Sequence, residues 1–189
     1  MTDMSKVGRK SKRKGSSFER KMAKIISLWY GEEVIRTPAS GGMRSITRSD
    51  LTARNPDHFP FIIECKHRED INFESIIKSP KAIIDYWIES KEKANTEYWK
   101  PSELKGNLKF PKVPILILTK NYCPNYIILQ EYIIINLSHS VEKLKKESFI
   151  RIHVPELNEN IVIFVLEKFL ELISKDNFLY AMSCMEESE

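Results

Sequence analysis

The strongest constraint on the fold is an apolar run over residues 61–66 that ends in an acid and a base, Glu64 and Lys66. In an extended strand, side chains alternate between two faces, so these two charged groups project from the same face. Burying a carboxylate and an ammonium group at a strand end is costly unless they are paired or hold a metal. A bare Glu-x-Lys is most often a structural ion pair, so its interpretation depends on the residues that precede it.

The preceding residues predict a hairpin. Residues 49–54 form a short strand, and residues 55–58 form a turn because they contain Asn, Pro and Asp. The hairpin would bring Asp50 close to Glu64. Two converging carboxylates repel each other unless a cation lies between them. Together with Lys66, the pair predicts a Mg²⁺ site with a lysine that orients a water molecule or helps to deprotonate it.

This arrangement resembles the core of the PD-(D/E)xK nucleases. A simple pattern match would assign Pro56 and Asp57 to the "PD" of that motif. Asp57 lies inside the predicted turn, too near Glu64 in sequence to face it across a hairpin, so Asp50 is the better candidate. Ser49 then occupies the place of the family's proline, which carries no chemistry.

Glu19 is a further candidate, in the first turn of a helix predicted to begin at residues 15–17 with a serine cap. An acid at this position commonly complements the helix dipole. However, residues 13–20 resemble the opening of archaeal-type Holliday-junction resolvases and related phage endonucleases. The resemblance implies that Glu19 completes or orients the metal site.

Arg36 and the segment 37–42 also resemble that branch, in which an Arg, a Pro and Ser-Gly-Gly precede the metal-binding Asp. Such a loop lets backbone N–H groups and a hydroxyl approach a phosphate closely. Lys120 lies at the end of a predicted strand, as the resemblance to the phage relatives implies. The predicted DNA contacts are Arg9, Lys10, Lys12, Arg13, Lys14, Arg36, Ser40, Gly41, Gly42, Arg44, Arg48, His67, Arg68 and Lys120.

Charge is distributed unevenly along the 189 residues. Residues 1–24 carry nine Lys or Arg and only two acidic side chains, whereas the remainder has more acidic than basic residues. We therefore predict a flexible basic arm over residues 1–14 that grips a phosphate backbone, with membrane binding and nuclear import as alternatives for such a basic run. The three cysteines are scattered without a CxxC pair, which indicates reduced thiols in a cytoplasmic protein. No segment predicts a membrane span or a signal peptide.

The remaining pattern predicts an α/β fold in a single nuclease domain over residues 15–189. The core, about 15–130, has a central mixed β-sheet flanked by helices, as in restriction endonucleases. A helix is predicted over 73–97, with a break at 79–80 and residues 91–93 on its outer face. Exonuclease branches of the resembled superfamily often carry a glutamine in this helix, so its absence here implies an endonuclease. Further predicted elements are strands at 113–120, 126–129, 150–154 and 161–165, and a closing helix at 167–175.

The resemblance implies an endodeoxyribonuclease. Asp50, Glu64, the backbone carbonyl of Cys65 and Glu19 would hold Mg²⁺, for which Mn²⁺ can substitute, and Lys66 would position the attacking water. A junction resolvase would be a two-fold homodimer without an organic cofactor, in the host cytoplasm if a phage encodes it. A general or sequence-specific nickase of phage or restriction type remains an alternative, as does a DNA-binding protein without catalytic activity.

Overall fold

The computed structural model describes residues 4–38, 47–69, 80–101 and 109–183, and the side chains from Lys12 to Met182 within these ranges. Five helices lie in these ranges: α1 (Met4–Tyr30), α2 (Lys81–Ala94), α3 (Glu131–Ser140), α4 (Leu166–Leu172) and α5 (Lys175–Ser183). The strands are β1 (Val34–Arg36), β2 (Leu51–Ala53), β3 (Phe61–His67), β4 (Tyr98–Trp99), β5 (Phe110–Pro111), β6 (Val113–Thr119), β7 (Tyr126–Gln130), β8 (Ile150–Val154) and β9 (Glu159–Val165).

Seven strands form one mixed sheet in the order β1-β2-β3-β6-β7-β9-β8, and β4 and β5 form a separate two-stranded sheet. This confirms the predicted α/β fold with a mixed sheet flanked by helices. The chain divides into two compact units, one of Met1–Arg68 with Glu89–Ile115 and one of Glu69–Ile88 with Leu116–Glu189. A single nuclease domain over residues 15–189 stays a prediction.

The first unit is built on α1, which buries one face at positions spaced four residues apart: Phe18, Met22, Ile26 and Tyr30. The helix stops at Gly31, whose φ of 79° is easily adopted only without a side chain. The Ser27 hydroxyl then accepts the Val34 N–H at 2.9 Å, which attaches β1 to the helix.

The predicted start of α1 was wrong. The helix begins at Met4, not at residues 15–17, so residues 4–14 of the predicted flexible arm are helical. Lysine and arginine are good helix formers, and their propensity lets the helix extend upstream of the serines. Lys12, Arg13 and Lys14 are exposed on this extension. The grip of these residues on DNA stays a prediction.

Strands β1, β2 and β3 form the predicted antiparallel hairpin with one extra strand. Ile35 faces Thr52, and Leu51 faces Ile63. The turn between β2 and β3 is a short 3-10 segment, Pro56–His58, in which the Asn55 side chain accepts the N–H of Asp57. All of β3 from Phe61 to Cys65 is buried, which makes this strand a central one.

The second unit contains the antiparallel strands β7, β9 and β8 and the end of β6. Its core includes the fully buried Trp87 together with Leu116, Ile128 and Ile161. The Trp87 indole N–H donates to Glu159 at 2.6 Å.

Several predicted elements agree with the structure in the second unit and at the end of the first, and others differ. The predicted strands near 113, 126, 150 and 161 are present, whereas the closing helix is two helices, α4 and α5. Helix α3 and the short strands β4 and β5 were not predicted. The predicted helix over 73–97 is described only from Lys81 and ends at Ala94; residues 70–79 lie outside the described residues.

Candidate active site

The candidate site lies in the first unit, where β2 begins beside the second half of β3. The backbone of Asp50 is fixed on both sides, because its N–H donates to Ile63 O at 2.9 Å and its carbonyl accepts the Thr37 N–H at 2.8 Å. Its carboxylate accepts the Cys65 N–H at 2.9 Å. These bonds hold the Asp50 side chain beside the strand that carries Glu64.

Ser49, at the position of the family's proline, makes part of this geometry. The residue is buried, and its hydroxyl accepts the Ile63 N–H at 2.8 Å and donates to Leu51 O at 2.6 Å. The side chain thus bridges β2 and β3 immediately before Asp50. A proline has no side-chain hydroxyl, so the serine supplies a cross-strand link that a proline could not.

Glu64 is buried, with 2% of its side chain exposed, and Asp50 is half-buried. Burial raises the pKa of Glu64 to about 7, the charge of Asp50 adds to the rise, and Lys93 and Lys66 oppose it. Burial likewise raises the pKa of Asp50, and the charge of Glu19 contributes. The carboxylates of Asp50 and Glu64 are therefore held together against their mutual repulsion.

Glu64 belongs to a group of four side chains of alternating charge, which we call the charge ring: Glu64, Lys93, Glu89 and Lys66. Lys93 Nζ lies 2.8 Å from Glu64 Oε1 and 2.8 Å from Glu89 Oε1. Lys66 Nζ lies 3.1 Å from Glu89 Oε2 and 3.5 Å from Glu64 Oε2. Glu64 Oε1 is buried and receives no hydrogen bond of good geometry, so its contact with Lys93 is an ion pair.

Lys93 and Glu89 were missed by the sequence analysis, which placed Lys93 on the outer face of its helix. That prediction was wrong, since only 15% of the Lys93 side chain is exposed. The signal that was available is their spacing. Glu89 and Lys93 are one helical turn apart on α2 and form an i,i+4 pair on the face that turns toward β3.

Glu19 lies on α1 and forms an ion pair with Arg36 of β1. Arg36 was predicted to contact DNA, and in the structure its side chain is 28% exposed beside Glu19. Through its charge Glu19 also raises the pKa of Asp50. The part of Glu19 in a metal site stays a prediction.

Asp57 is exposed in the turn, away from the buried hairpin positions, as the choice of Asp50 requires. His67 is half-buried, with its ring against Phe18 at 6.0 Å in an edge-to-face contact. Arg48 and Arg68 are exposed, and Lys120, in the second unit, is half-buried. The predicted contacts Ser40, Gly41, Gly42 and Arg44 lie outside the described residues, as do the side chains of Arg9 and Lys10.

The oxygen donors of this site are the kind that Mg²⁺ and Mn²⁺ prefer. Two of them are carboxylates in mutual repulsion that a divalent cation would relieve, the half-buried Asp50 and the buried Glu64. Within the described ranges, however, no three Asp, Glu, His or Cys side chains are grouped closely enough to hold a metal ion as they stand. The residues thus suit a divalent ion in kind, and a side-chain adjustment must accompany its binding.

Two further observations bear on the predicted class of protein. Cys65 and Cys123 are both free thiols, and burial raises the pKa of the Cys65 thiol well above its usual value. In the part of the chain that the structure covers, the helices are too short or too polar to cross a bilayer.

Comparison with known proteins gave one result. Neither the curated proteins nor the solved structures yielded a significant match. The profile of one family, described as "phage putative PDDEXK endonuclease", matches residues 10–180, which is most of the chain and includes Glu19, Asp50, Glu64 and Lys66. It confirms the predicted PD-(D/E)xK superfamily and its phage branch. A protein with this match and this mixed sheet belongs to the phage putative PDDEXK endonuclease family of nucleases.

Proposed function

We propose that this nuclease is a Mg²⁺-dependent, structure-selective DNA endonuclease that resolves four-way junctions by paired nicks. The observation that carries the proposal is the pair of half-buried Asp50 and buried Glu64, with Lys66 beside it. Desolvation and mutual repulsion disfavour the charged forms of both acids. A protein that only binds DNA has no use for such an unfavourable arrangement, whereas a metal-dependent hydrolase requires it.

Asp50, Glu64 and the backbone carbonyl of Cys65 would hold the metal, with Glu19 completing or orienting the site. Asp50 is suited to this role because the Cys65 N–H fixes one carboxylate oxygen and leaves the other to coordinate. Glu19 reaches the same region from α1 and is oriented by Arg36. Mn²⁺ should replace Mg²⁺, because both ions accept an all-oxygen donor set.

When bound, the metal supplies positive charge that stabilises the pentavalent phosphate and the leaving 3′-oxygen. Lys66 acts on the other reactant. Its ammonium group lies at the same strand end as Glu64, 3.5 Å from that carboxylate, and would hold the attacking water in line with the phosphorus. Water attacks directly, and the products carry a 5′-phosphate and a 3′-hydroxyl.

Basic residues would hold the DNA backbone around the site. Arg48 is exposed two residues before Asp50 and would contact a phosphate near the cut. Lys12, Arg13 and Lys14 would bind further phosphates from the exposed start of α1. Affinity should therefore fall steeply with salt for every form of DNA.

The junction as substrate rests on the resemblance of residues 13–20 and 36–42 to junction resolvases. Two symmetric nicks require two copies of the site, so we propose a two-fold homodimer. The protein would act on recombining or repaired DNA in the cytoplasm of the phage's host.

The experiment is cleavage of a synthetic four-way junction with Mg²⁺, beside linear duplex, nicked duplex and single strands of the same sequence. We expect paired symmetric nicks in the junction alone, lost on addition of EDTA and restored by Mn²⁺. Cutting of every duplex would replace the resolvase by a general nuclease, and no cutting with either metal would leave a DNA-binding protein.

A further inference from the structure

The charge ring occupies the carboxylate that a metal would need. Both oxygens of Glu64 face an ammonium group, Oε1 at 2.8 Å from Lys93 Nζ and Oε2 at 3.5 Å from Lys66 Nζ. A divalent cation and an ammonium group cannot share one carboxylate oxygen at such a distance without strong repulsion, which burial increases. One of the two lysines must therefore withdraw before a metal binds Glu64.

The ring provides a second acceptor for the lysine that withdraws. Glu89 contacts the same two ammonium groups, yet 45% of its side chain is exposed, compared with 2% for Glu64. Burial opposes ionisation of Glu89, but hydrogen bonds from Lys93 and Lys66 outweigh it and lower its pKa. The outer carboxylate is thus a stable anion on the solvent side of the ring.

Lys93 is the better candidate to move. It shares α2 with Glu89 at a spacing of four residues, so the helix maintains this pair whether or not Glu64 takes part. Lys66, by contrast, lies on the same strand as Glu64 and keeps its place beside that residue through the strand itself.

We propose that Lys93 is an exchangeable counter-ion of Glu64, which releases this carboxylate to a divalent cation and, held by Glu89, then contacts a phosphate of the bound DNA. In the metal-free protein Lys93 offsets the charge of buried Glu64; in the complex it is a second cation at the cut, besides Lys66. This inference rests on the proposed function, because it requires a metal at Glu64.

A purely structural role would give a different result. If Lys93 served only to attach α2 to β3, its removal would loosen the site and would weaken metal binding or leave it unchanged. If Lys93 competes with the metal, its removal must strengthen metal binding, while cleavage falls because the phosphate loses a contact. The opposite signs of the two effects separate competition from support.

The test measures Mn²⁺ binding to the full-length protein by the electron paramagnetic resonance signal of free Mn²⁺, and single-turnover junction cleavage by the same preparations. We expect Lys93→Met to bind Mn²⁺ about tenfold more tightly and to cleave about a hundredfold more slowly. Lys93→Arg, which keeps the charge, should retain most of both properties. Lys81→Met, the loss of an exposed lysine from the same helix, is the matched control and should change neither.

A second variant tests the outer acceptor. Glu89→Gln removes the negative charge that would hold Lys93 away from Glu64, so Lys93 should remain on Glu64. This variant should therefore bind Mn²⁺ more weakly than wild type, which is the opposite of the effect expected for Lys93→Met. Circular dichroism of each variant checks that it is folded.

Weaker or equal Mn²⁺ binding by folded Lys93→Met would overturn the role of Lys93 as an exchangeable counter-ion. Unchanged cleavage by the same variant would overturn its contact with the phosphate. Mn²⁺ binding by Glu89→Gln equal to that of wild type would overturn the role of Glu89 as the outer acceptor. Failure of the proposed function would give a different result. The wild-type protein would then bind no Mn²⁺, or its Mn²⁺ binding would be unchanged in Glu64→Gln.

Discussion

Two carboxylates of the first unit, the buried Glu64 and the largely buried Glu97, differ in how their charge is balanced. Glu97 is 11% exposed, and each of its oxygens has its own donor: Lys112 Nζ at 3.1 Å and the Arg48 N–H at 2.5 Å. Lys112 is itself 2% exposed and donates its backbone N–H to Glu97 O at 3.0 Å. Glu97 and Lys112 thus form a pair of one acid and one base, in which both carboxylate oxygens of Glu97 accept hydrogen bonds.

Glu64 is buried at least as deeply, yet it lies against a second carboxylate and shares its two lysines with a third. Burial and Asp50 raise its pKa to about 7 in spite of those lysines. Burial alone therefore does not mark a functional acid. What distinguishes the site is that its acidic side chains outnumber the lysines paired with them. Such an excess of negative charge is tolerated in a fold when a bound cation neutralises it.

The largest expected effect lies in catalysis. Asp50→Asn and Glu64→Gln should each lower the rate of single-turnover DNA cleavage by about 10³-fold or more, because a neutral side chain cannot hold the metal that stabilises the phosphate. Binding of DNA, measured by fluorescence anisotropy in EDTA, should remain.

Asp57→Asn is the matched control, since it removes an equal charge from the exposed turn and should leave cleavage within about twofold. Undiminished cutting by Asp50→Asn, or an inactive Asp57→Asn, would reverse the choice between the two aspartates.

The next effect tests the structural carboxylate. Lys112→Met should lower the free energy of unfolding by about 3 kcal/mol, because it leaves the buried Glu97 without its cation. Urea denaturation measures this change. Lys93→Met should lower the free energy of unfolding by less, because Glu64 can take up a proton near neutral pH. In Lys112→Met, by contrast, Glu97 loses the sole ammonium partner that it has in the described structure.

The double variant Glu97→Gln/Lys112→Met should recover part of the lost stability. Equal losses for Lys112→Met and Lys93→Met would mean that the two clusters do not differ as their contacts indicate.

The sequence sufficed for the part of the site that lies on neighbouring strands. Period-two alternation and the turn at 55–58 place Asp50 opposite the β3 strand, and the structure has this hairpin with Leu51 facing Ile63. Such local pairing follows from residue pattern because few alternative registers bury the same side chains.

The charge ring could not be predicted in this way. Lys93 and Glu89 reach Glu64 from a helix more than twenty residues further along the chain, and their contact depends on how that helix packs. A lysine among other charged residues at the end of a helix is usually solvated, so the pattern favoured an outer position. Helix α3 was missed for a related reason, because its run of three isoleucines, Ile133–Ile135, is more typical of a strand.

The smallest expected effect is on the free energy of unfolding in the absence of metal. Its sign is unusual, because removing the charge of a site residue should stabilise the protein. A carboxylate whose folded pKa is raised contributes stability that is complete below its unfolded pKa and is lost as pH rises through its folded pKa. For Glu64 this window runs from about 4.5 to about 7. The wild-type protein should therefore lose stability from pH 5 to pH 8 in EDTA, since the pKa of Glu64 lies within this range and ionised Glu64 is repelled by Asp50.

Asp50→Asn keeps an oxygen for the Cys65 N–H and removes one of the two charges. In EDTA at pH 8 it should be more stable than wild type by about 1 kcal/mol, or about 2–4 °C in Tm, with a shallower dependence on pH. Added Mn²⁺ should raise the Tm of wild type and not of the variant. Asp57→Asn controls for net charge. If the stability of the wild-type protein did not change between pH 5 and pH 8, the carboxylates of Asp50 and Glu64 would not repel each other. The contrast between Glu64 and Glu97 would then have no basis.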